Sequence, residues 1–232
     1  MKIHGLQKMT LLDFPGKVAC TVFLGGCDLR CPFCHNAELI DGTAPAVMEE
    51  AELLSFLKKR QGLLEGVAVT GGEPLLRGQE LLALAEKIRE LGYPLKLDTN
   101  GTHPDRLREL TDRGLVSYVA MDIKNDPDRY AVTCGMENMD LGPVRDSVSL
   151  LMGGRTDYEF RTTTVAELHD EDSFRKIGEW IRGAKRYYLQ KFTDRDTVPF
   201  EGFHAPGDEE MRKYLKTAQE FVPGAALRGV DD

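Results

Sequence analysis

The sequence predicts an α/β fold in which strands alternate with helices, as in a complete or partial β/α barrel or in an open doubly wound sheet. The prediction rests on recurring apolar runs, on helical periodicity between them, and on polar residues that follow each run. Unbroken apolar runs suit parallel strands that are covered on both faces. Near-continuous apolar runs appear at Val18–Leu24, Val67–Thr70, Leu95–Thr99 and Val116–Met121, and more polar candidate strands at Tyr158–Val165 and Tyr187–Phe192. Periodicity alone leaves the barrel and the open sheet as alternatives.

The segments between the candidate strands carry the periodicity of amphipathic helices. Apolar residues recur at spacings of three or four from Leu81 to Leu91 and again from Phe174 to Ile181. Further helices are predicted at Glu49–Arg60, Pro104–Arg113, Pro143–Met152 and Asp208–Phe221. The last helix lies beyond the sixth strand. We therefore expect one domain over residues 1–232, with a core at about 10–192 and a C-terminal extension, 193–232, that contains one helix.

Composition restricts the classes of protein that the chain can represent. The formal net charge is −8, and the charged residues are spread along the sequence. This argues against nucleic-acid binding, which requires a basic face. No apolar run approaches the length of a membrane span. The five cysteines are an odd number, which disfavours a disulfide framework. We expect a cytoplasmic protein in a reducing compartment.

Three cysteines on one short loop are the most informative feature of the chain. Cys27, Cys31 and Cys34 form a C-x3-C-x2-C pattern directly after the first candidate strand. Their thiolates can hold three irons of a [4Fe–4S] cluster, and no fourth cysteine lies nearby. One iron would stay open, as catalytic metal sites require. The alternative is zinc with His35 or a distant cysteine as fourth ligand, but zinc patterns usually consist of two separated pairs.

Polar residues stand at the carboxyl end of each candidate strand. In β/α folds these ends converge on the active site. Each residue alone has a plain structural explanation as a turn, a cap or a surface ion pair. Together they predict an active site at this edge of the sheet. Beyond the cysteine loop, the residues are Gly71-Gly72-Glu73-Pro74, Asp98-Thr99-Asn100-Gly101, Asp122 with Lys124, Arg161 with Thr163, and Gln190 with Lys191.

Two motifs in this order resemble those of the radical S-adenosylmethionine superfamily. One is the cysteine pattern with Phe33 before its last cysteine, and the other is the Gly-Gly-Glu-Pro turn that starts at Gly71. The resemblance runs from about Thr10 to Gln190. It implies a partial (β/α)6 TIM-like barrel, a [4Fe-4S] cluster, and S-adenosyl-L-methionine bound to the open iron. It also implies an oxidoreductase that makes a 5′-deoxyadenosyl radical, with no catalytic side chain beyond the cluster and the cofactor.

The resemblance carries over to individual positions of this sequence. It implies that Cys27, Cys31 and Cys34 bind the cluster. Gly72 is expected to bring backbone groups close to the methionyl amino group, because glycine has no side chain in the way. Glu73 is expected to support that turn rather than to react. The residues implied in cofactor binding are Phe33, His35, Gly71, Gly72, Glu73, Asp98, Asp122, Lys124 and Arg161.

The charged members of this set have more than one reading. Asp98, Asp122 and Lys124 resemble residues that hold the ribose and carboxylate of the cofactor, and Lys124 offers a compact positive charge for the methionyl carboxylate. Arg161 is a weaker candidate for the same carboxylate. Alternatively, Asp98, Thr99 and Asp122 ligate a cation, as related activases suggest.

Several stretches resemble the activating enzymes of glycyl radical enzymes. They are Cys31–Asn36, Leu97–Gly101 and Met121–Lys124, and the opening stretch Met9–Lys17 is similar to that of activating proteins of anaerobic ribonucleoside-triphosphate reductase. The implied partners are therefore a glycyl radical enzyme, in first place the anaerobic ribonucleotide reductase, and a flavodoxin- or ferredoxin-type electron donor. Two alternatives remain open: a radical enzyme that acts on a small molecule or a peptide, and a non-catalytic zinc module.

Two further cysteines lie outside the cluster motif. Cys20 falls within the first apolar strand, and we expect it to behave as a small buried apolar residue. Cys134 stands beside Gly135 in a predicted loop after the fourth strand, where we expect a more exposed thiol. The histidines at 4, 103, 169 and 204 show no ligand spacing and are interpreted as surface or structural residues.

Overall fold

The computed structural model describes residues 1–230. Helices and strands alternate through most of this range, as predicted. The strands are β1 (Lys2–Ile3), β2 (Gly5–Thr10), β3 (Ala19–Leu24), β4 (Met48–Glu49), β5 (Gly66–Gly71), β6 (Leu95–Thr99), β7 (Tyr118–Asp122), β8 (Asp157–Thr164), β9 (Tyr187–Lys191) and β10 (Ala225–Arg228). The helices are α1 (Glu50–Lys59), α2 (Gln79–Glu90), α3 (Pro104–Asp112), α4 (Tyr130–Thr133), α5 (Gly142–Gly153), α6 (Glu171–Trp180) and α7 (Asp208–Gln219).

One eight-stranded sheet organises the chain. Its strand order is β10-β9-β8-β7-β6-β5-β3-β2, and every neighbouring pair from β3 to β10 is parallel. Along this parallel part each strand lies beside the strand of the same sheet that precedes it in the chain, and the order never reverses. Right-handed crossovers in one direction place the connecting helices on one face and curve the sheet around the other. A doubly wound sheet reverses its order at a switch point. The fold is therefore a partial (β/α)6 TIM-like barrel.

All six predicted strands are present, with ends that differ by at most two residues from the predicted ones. Four elements of strand were not predicted. β1 and β4 form a separate two-residue antiparallel pair, and β2 pairs antiparallel with β3 at one edge of the sheet. β10 follows α7 and pairs parallel with β9 at the other edge. The extension that was expected to hold one helix thus also adds a strand to the sheet.

The C-terminal extension packs on the barrel through α7. The rings of Phe174 in α6 and Tyr214 in α7 stack with centroids 4.9 Å apart. Gly178 permits this packing, because a Cβ atom there would lie 2.6 Å from the ring of Phe221. Lys191 at the end of β9 forms an ion pair with Asp208 at the start of α7. No helix in residues 1–230 is long and apolar enough to cross a bilayer.

Candidate active site

The predicted site residues meet around one cavity at the carboxyl ends of the strands. The cavity has a volume of about 520 Å3, which is in the range of small-molecule sites. Every position that was implied in cluster or cofactor binding lines it, except Glu73. The lining positions are Cys27, Cys31, Phe33, Cys34, His35, Gly71, Gly72, Asp98, Asp122, Lys124 and Arg161. Thr163 and Gln190 also line it, whereas Lys191 turns to α7.

The cysteine loop is fixed by its own backbone. Gly26 and Cys27 donate their amides to the carbonyls of Leu39 and Ile40 at 2.7 and 2.9 Å, which closes the loop on itself. Cys31 is buried, while Cys27 and Cys34 are half-buried at the cavity wall. No three His, Cys, Asp or Glu side chains within residues 1–230 converge as ligands of one metal ion. In a [4Fe-4S] cluster each cysteine binds a different iron, so such convergence is not required.

The Gly71-Gly72 turn packs directly against the start of the cysteine loop. The amide of Gly72 donates to the carbonyl of Leu24 at 2.9 Å, and the amide of Glu73 donates to that of Gly26 at 2.7 Å. A Cβ atom on Gly72 would lie 2.1 Å from the Gly26 carbonyl oxygen. Gly71 has a φ of +130°, and a Cβ atom there would meet the Leu24 carbonyl oxygen at 2.1 Å. Both glycines are therefore required by contact between two backbone segments.

Glu73 is completely buried behind this turn and does not reach the cavity. One carboxylate oxygen accepts hydrogen bonds from the Leu75 amide and the Thr99 hydroxyl, both at 2.9 Å, and the other accepts from the Asn100 amide at 2.6 Å. Burial raises the pKa of Glu73 to about 7, although the three hydrogen bonds oppose this shift. Glu73 thus joins the end of β5 to the end of β6.

A compact set of charged side chains lies at the same cavity. Arg161 bridges both aspartates, with Nε 3.0 Å from Asp122 and Nη1 3.4 Å from Asp98. Lys124 Nζ lies 2.9 Å from the second oxygen of Asp122, and the buried Lys96 contacts Asp98. Three cations therefore face two carboxylates.

Ion pairing decides the protonation states in this charged set. Burial opposes ionisation of Asp122, but Lys124 and Arg161 lower its pKa to about 2. In the same way, Arg161 and Lys96 outweigh burial and lower the pKa of Asp98. Both carboxylates are ionised near neutral pH. The excess of one positive charge within this set suits an anionic ligand group.

The two remaining predicted residues, Phe33 and His35, pack against an aromatic side chain, Phe192, that the sequence analysis did not select. The ring of His35 stacks on Phe192 at a centroid distance of 5.3 Å, and its Nε2 contacts the carbonyl of Thr193 at 2.7 Å. Phe33 meets the same Phe192 ring edge-on at 6.5 Å. Phe192 was predicted only as the last residue of a strand. Its residue type alone does not indicate a role in the site, because an apolar residue at that position also fits the core.

A second set of residues that the sequence analysis did not select contacts the cysteine loop directly after Cys27. Asp28 accepts a hydrogen bond from the Asn100 side chain at 2.8 Å and also contacts Thr102 and His103. Burial opposes its ionisation, but His103, Thr102 and Asn100 lower the pKa of Asp28 to about 2. The same Asn100 amide lies 3.9 Å from Cys27 Sγ. The carboxylate therefore orients a donor toward a candidate cluster ligand.

The expectation of an exposed Cys134 is wrong. Cys134 is 0% exposed, because α4 and the following turn fold back onto the cysteine loop, whereas Cys20 is buried as predicted. The neighbouring Cys134 thiol lowers the pKa of Cys31 despite burial. In turn Cys31, together with burial, raises the pKa of Cys134. His169 is buried and structural, with Nε2 2.8 Å from the Lys124 carbonyl.

A partial β/α barrel with three cysteines on the loop after its first parallel strand defines a class of cluster-dependent enzymes. The family model for the radical SAM superfamily matches residues 21–178, which is most of the chain. The chain belongs to the radical SAM superfamily and is a radical SAM enzyme. Enzymes of this superfamily use a [4Fe-4S] cluster and S-adenosyl-L-methionine.

Several known proteins are similar to the chain. It is 28% identical over 236 residues to a protein of Methanocaldococcus jannaschii that is provisionally named a glycyl-radical enzyme activating enzyme, with 99% of this chain and 96% of the relative covered. It is 27% identical to the pyruvate formate-lyase-activating enzyme of Listeria monocytogenes, covering 94% and 96%. A 7-carboxy-7-deazaguanine synthase of Thermococcus kodakarensis is 31% identical, but over only 45% of this chain and 48% of that enzyme.

Solved structures support the same fold. A domain of the pyruvate-formate lyase-activating enzyme from Bacteroides vulgatus superposes with a TM-score of 0.58 at 18% identity, covering 71% of this chain and 99% of that domain. At this identity the likeness concerns the fold alone. The cavity of this chain nevertheless fits both groups: thiols are the usual ligands of such clusters, and the surplus positive charge beside them suits the carboxylate of S-adenosyl-L-methionine.

Proposed function

We propose that this enzyme installs a glycyl radical on a partner protein, in first place an anaerobic ribonucleoside-triphosphate reductase. The proposal rests chiefly on the two named activating enzymes that align along almost the whole chain. The lead-in Met9–Lys17 supports the choice of partner, because it resembles that of reductase activating proteins. When bound, the reduced cluster and S-adenosyl-L-methionine supply a 5′-deoxyadenosyl radical that abstracts a hydrogen atom.

We assign the cluster to Cys27, Cys31 and Cys34. These thiols stand on one loop and line one side of the cavity. Burial raises the pKa of Cys34 and also opposes ionisation of Cys31, and the positive charge of Lys124 counteracts burial at both thiols. Iron–sulfur ligation requires thiolates. Lys124 therefore favours the charge state that the ligands need.

We assign the organic cofactor to the walls on either side of the cysteines. The backbone of Gly71 and Gly72 is open to the cavity and offers polar groups without side chains. The charged set around Arg161 offers the surplus positive charge described above. Phe33 and His35 provide flat apolar surface for an adenine ring. Glu73 has no contact with the cofactor in this assignment and holds the turn in place.

The rim of the cavity fits a polypeptide substrate better than a free small molecule. Leu12 lines the cavity and is 90% exposed, and its neighbours Met9 and Leu11 are also largely exposed. An exposed apolar cluster at a site mouth marks a surface that a protein partner can cover. Such cover also excludes water from a reactive radical. A flavodoxin- or ferredoxin-type protein is the proposed electron donor.

The second candidate is a radical enzyme that modifies a small heterocyclic compound. It is favoured by the local identity to 7-carboxy-7-deazaguanine synthases, which reaches 31% over 125 residues with the enzyme from Thermococcus kodakarensis. That match covers less than half of either chain. The two activating enzymes compared above align over more than nine tenths of this chain, which supports the first candidate more strongly.

The first experiment tests the chemistry without the partner. The protein is reconstituted anaerobically with iron and sulfide and given dithionite and S-adenosyl-L-methionine, beside a Cys31→Ala control. We expect a brown protein that forms 5′-deoxyadenosine, and neither property in the control. A colourless protein that binds zinc and forms no 5′-deoxyadenosine would contradict both enzymatic candidates.

The second experiment distinguishes the candidates. The reduced enzyme is mixed with an anaerobic ribonucleoside-triphosphate reductase, and the glycyl radical is measured by electron paramagnetic resonance. We expect a radical signal that requires S-adenosyl-L-methionine and is absent when the radical-bearing glycine of the reductase is replaced by alanine. Cofactor cleavage that is stimulated by a purine-like compound but never by a protein would favour the second candidate.

A further inference from the structure

Glu159 is a buried carboxylate that the site described above does not use. It is 1% exposed, does not line the cavity, and lies two residues before Arg161 in β8. Alternate residues of a strand point to the same face, so Glu159 points into the barrel like Arg161, but nearer the amino end of the strand. The hydroxyl of Tyr118 in the neighbouring β7 donates to one of its oxygens at 2.8 Å. A third carboxylate therefore stands next to the charged set around Arg161.

Arg228 in β10 pairs with this carboxylate from the edge of the sheet. Its Nη1 and Nη2 atoms lie 2.7 and 2.9 Å from Oε1 and Oε2 of Glu159. Such a bidentate contact fixes the direction of both side chains. The guanidinium also lies over the ring of Tyr188 in β9, 3.5 Å from its centroid, which adds a cation–π contact. The position of Arg228 is thus set by two groups on two different strands.

The register of the sheet shows where Arg228 starts. Its backbone stands beside Gln190 of β9, and Gln190 stands beside Thr163 of β8. Gln190 and Thr163 both line the cavity. The side chain of Arg228 therefore runs from the level of the cavity across Tyr188 to the deeper Glu159.

The pairing with Arg228 decides the charge balance next to the cavity. The charged set around Arg161 holds three cations and two carboxylates. Glu159 alone would bring the numbers to three and three, and the excess of positive charge would disappear. Arg228 adds a fourth cation and restores the excess of one. Because Glu159 has its own partner, Arg161 keeps its ion pairs with Asp98 and Asp122.

We propose that Arg228 is a positioning residue: it neutralises Glu159, which keeps Arg161 on the two aspartates and preserves an excess of positive charge for the carboxylate of S-adenosyl-L-methionine. The proposal rests on the proposed function in that it takes the charged set to hold that carboxylate. It also gives a role to β10, the strand that the C-terminal extension adds to the sheet. Arg228 itself does not line the cavity, so it acts through Glu159 and Arg161.

The test measures the binding of S-adenosyl-L-methionine to the reconstituted, cluster-bearing enzyme by equilibrium dialysis. Arg228→Gln removes the cation, Glu159→Gln removes the carboxylate, and the double variant removes both charges. Arg228→Lys keeps the charge without the bidentate contact. Arg186→Gln is the matched control, because Arg186 lies over the Tyr118 ring at 5.8 Å but pairs with the exposed Asp157.

We expect Arg228→Gln to weaken binding about tenfold, because it abolishes the excess of positive charge. Glu159→Gln raises this excess to two and should leave binding unchanged or make it tighter. The double variant keeps an excess of one and should bind within about twofold of the wild type, as should the Arg186→Gln control. Arg228→Lys should bind more tightly than Arg228→Gln. An ion pair with a purely structural role would instead weaken binding whichever partner is removed.

Equal weakening in Glu159→Gln and Arg228→Gln would overturn the proposal, and so would unchanged binding in Arg228→Gln. If Arg228→Gln holds no cluster, the double variant decides: binding like that of the wild type supports the proposal, and binding weakened about tenfold overturns it. A wild-type enzyme that carries the cluster but binds no S-adenosyl-L-methionine would instead overturn the proposed function itself.

Discussion

Replacing Gly72 by alanine tests whether the glycine pair and the cysteine loop form one structural unit. The added Cβ atom would lie 2.1 Å from the carbonyl oxygen of Gly26 and 2.7 Å from its carbon. These are backbone atoms, so a rotamer change cannot relieve the contact, and the two segments must separate by roughly 1 Å to reach an ordinary contact distance. That movement breaks the hydrogen bonds from Gly72 to Leu24 and from Glu73 to Gly26, at 2.9 and 2.7 Å.

The expected effect can be estimated from these two hydrogen bonds. Each contributes about 0.5–1.5 kcal/mol, so the free energy of unfolding of the cluster-free protein should fall by about 1–3 kcal/mol. Because the cysteine loop moves, the iron and sulfide content after reconstitution should fall as well. Urea unfolding and iron analysis measure the two effects separately.

A matched glycine provides the control for this substitution. Gly153 lies at the end of α5, and a Cβ atom there would meet nothing within 4 Å. Gly153→Ala should change the free energy of unfolding by less than about 1 kcal/mol and leave the iron content unchanged. If Gly72→Ala unfolds like Gly153→Ala and binds a full cluster, the two motifs are not coupled in the way the contacts indicate.

Three further changes probe other parts of the site. Burial raises the pKa of Glu73 from 4.5 to about 7, so the folded state binds the extra proton and stability is lost as the pH rises through this window. We therefore measure the unfolding free energy of the wild type minus that of Glu73→Gln, and expect this difference to fall by about 3 kcal/mol from pH 4.5 to 7.5. A difference that stays constant over this range would contradict the reasoning. Lys124→Gln removes one cation beside Asp122 and should weaken S-adenosyl-L-methionine binding about tenfold in equilibrium dialysis, whereas unchanged affinity would exclude Lys124 from the cofactor. Leu12→Glu should reduce glycyl-radical formation but not partner-free 5′-deoxyadenosine formation, and Leu63→Glu, which is exposed before β5 and does not line the cavity, should reduce neither.

Local patterns in the sequence were sufficient to predict the strands that build the barrel. The runs from Val18 to Leu24 and from Val67 to Thr70 are almost entirely apolar and lie in strands that are covered on both faces, so this burial can be recognised from their composition. β2 and β10 lie at the edges of the sheet, where one side has no neighbouring strand. Their residues are mixed in polarity, and a pattern of burial is therefore absent from their sequences. Only the pairing with β3 and β9 makes them strands.

The contacts of the site that sequence reasoning missed are those between distant segments. Asp28 follows Cys27 and looks like an ordinary loop residue in the sequence, but the fold brings Asn100 at the end of β6 to it. In the sequence Phe192 is only the end of a predicted strand, and the structure shows that the ring of His35 in the cysteine loop stacks on it. Cys134 has the composition of an exposed turn because Gly135 follows it, yet that glycine allows the buried contact with Arg30. In each case the partner is set by the topology of the barrel.

The charged side chains at the cavity show what the geometry adds to residues that were selected from the sequence. Asp98 and Asp122 suit a bound cation as well as a bound cofactor when only their positions in the sequence are known. Parallel register places Arg161 directly beside Asp122 on the neighbouring strand, and Arg161 also reaches Asp98. With Lys96 and Lys124 added, this set of side chains carries three positive and two negative charges. Its excess of positive charge would complement a ligand carboxylate, such as that of S-adenosyl-L-methionine.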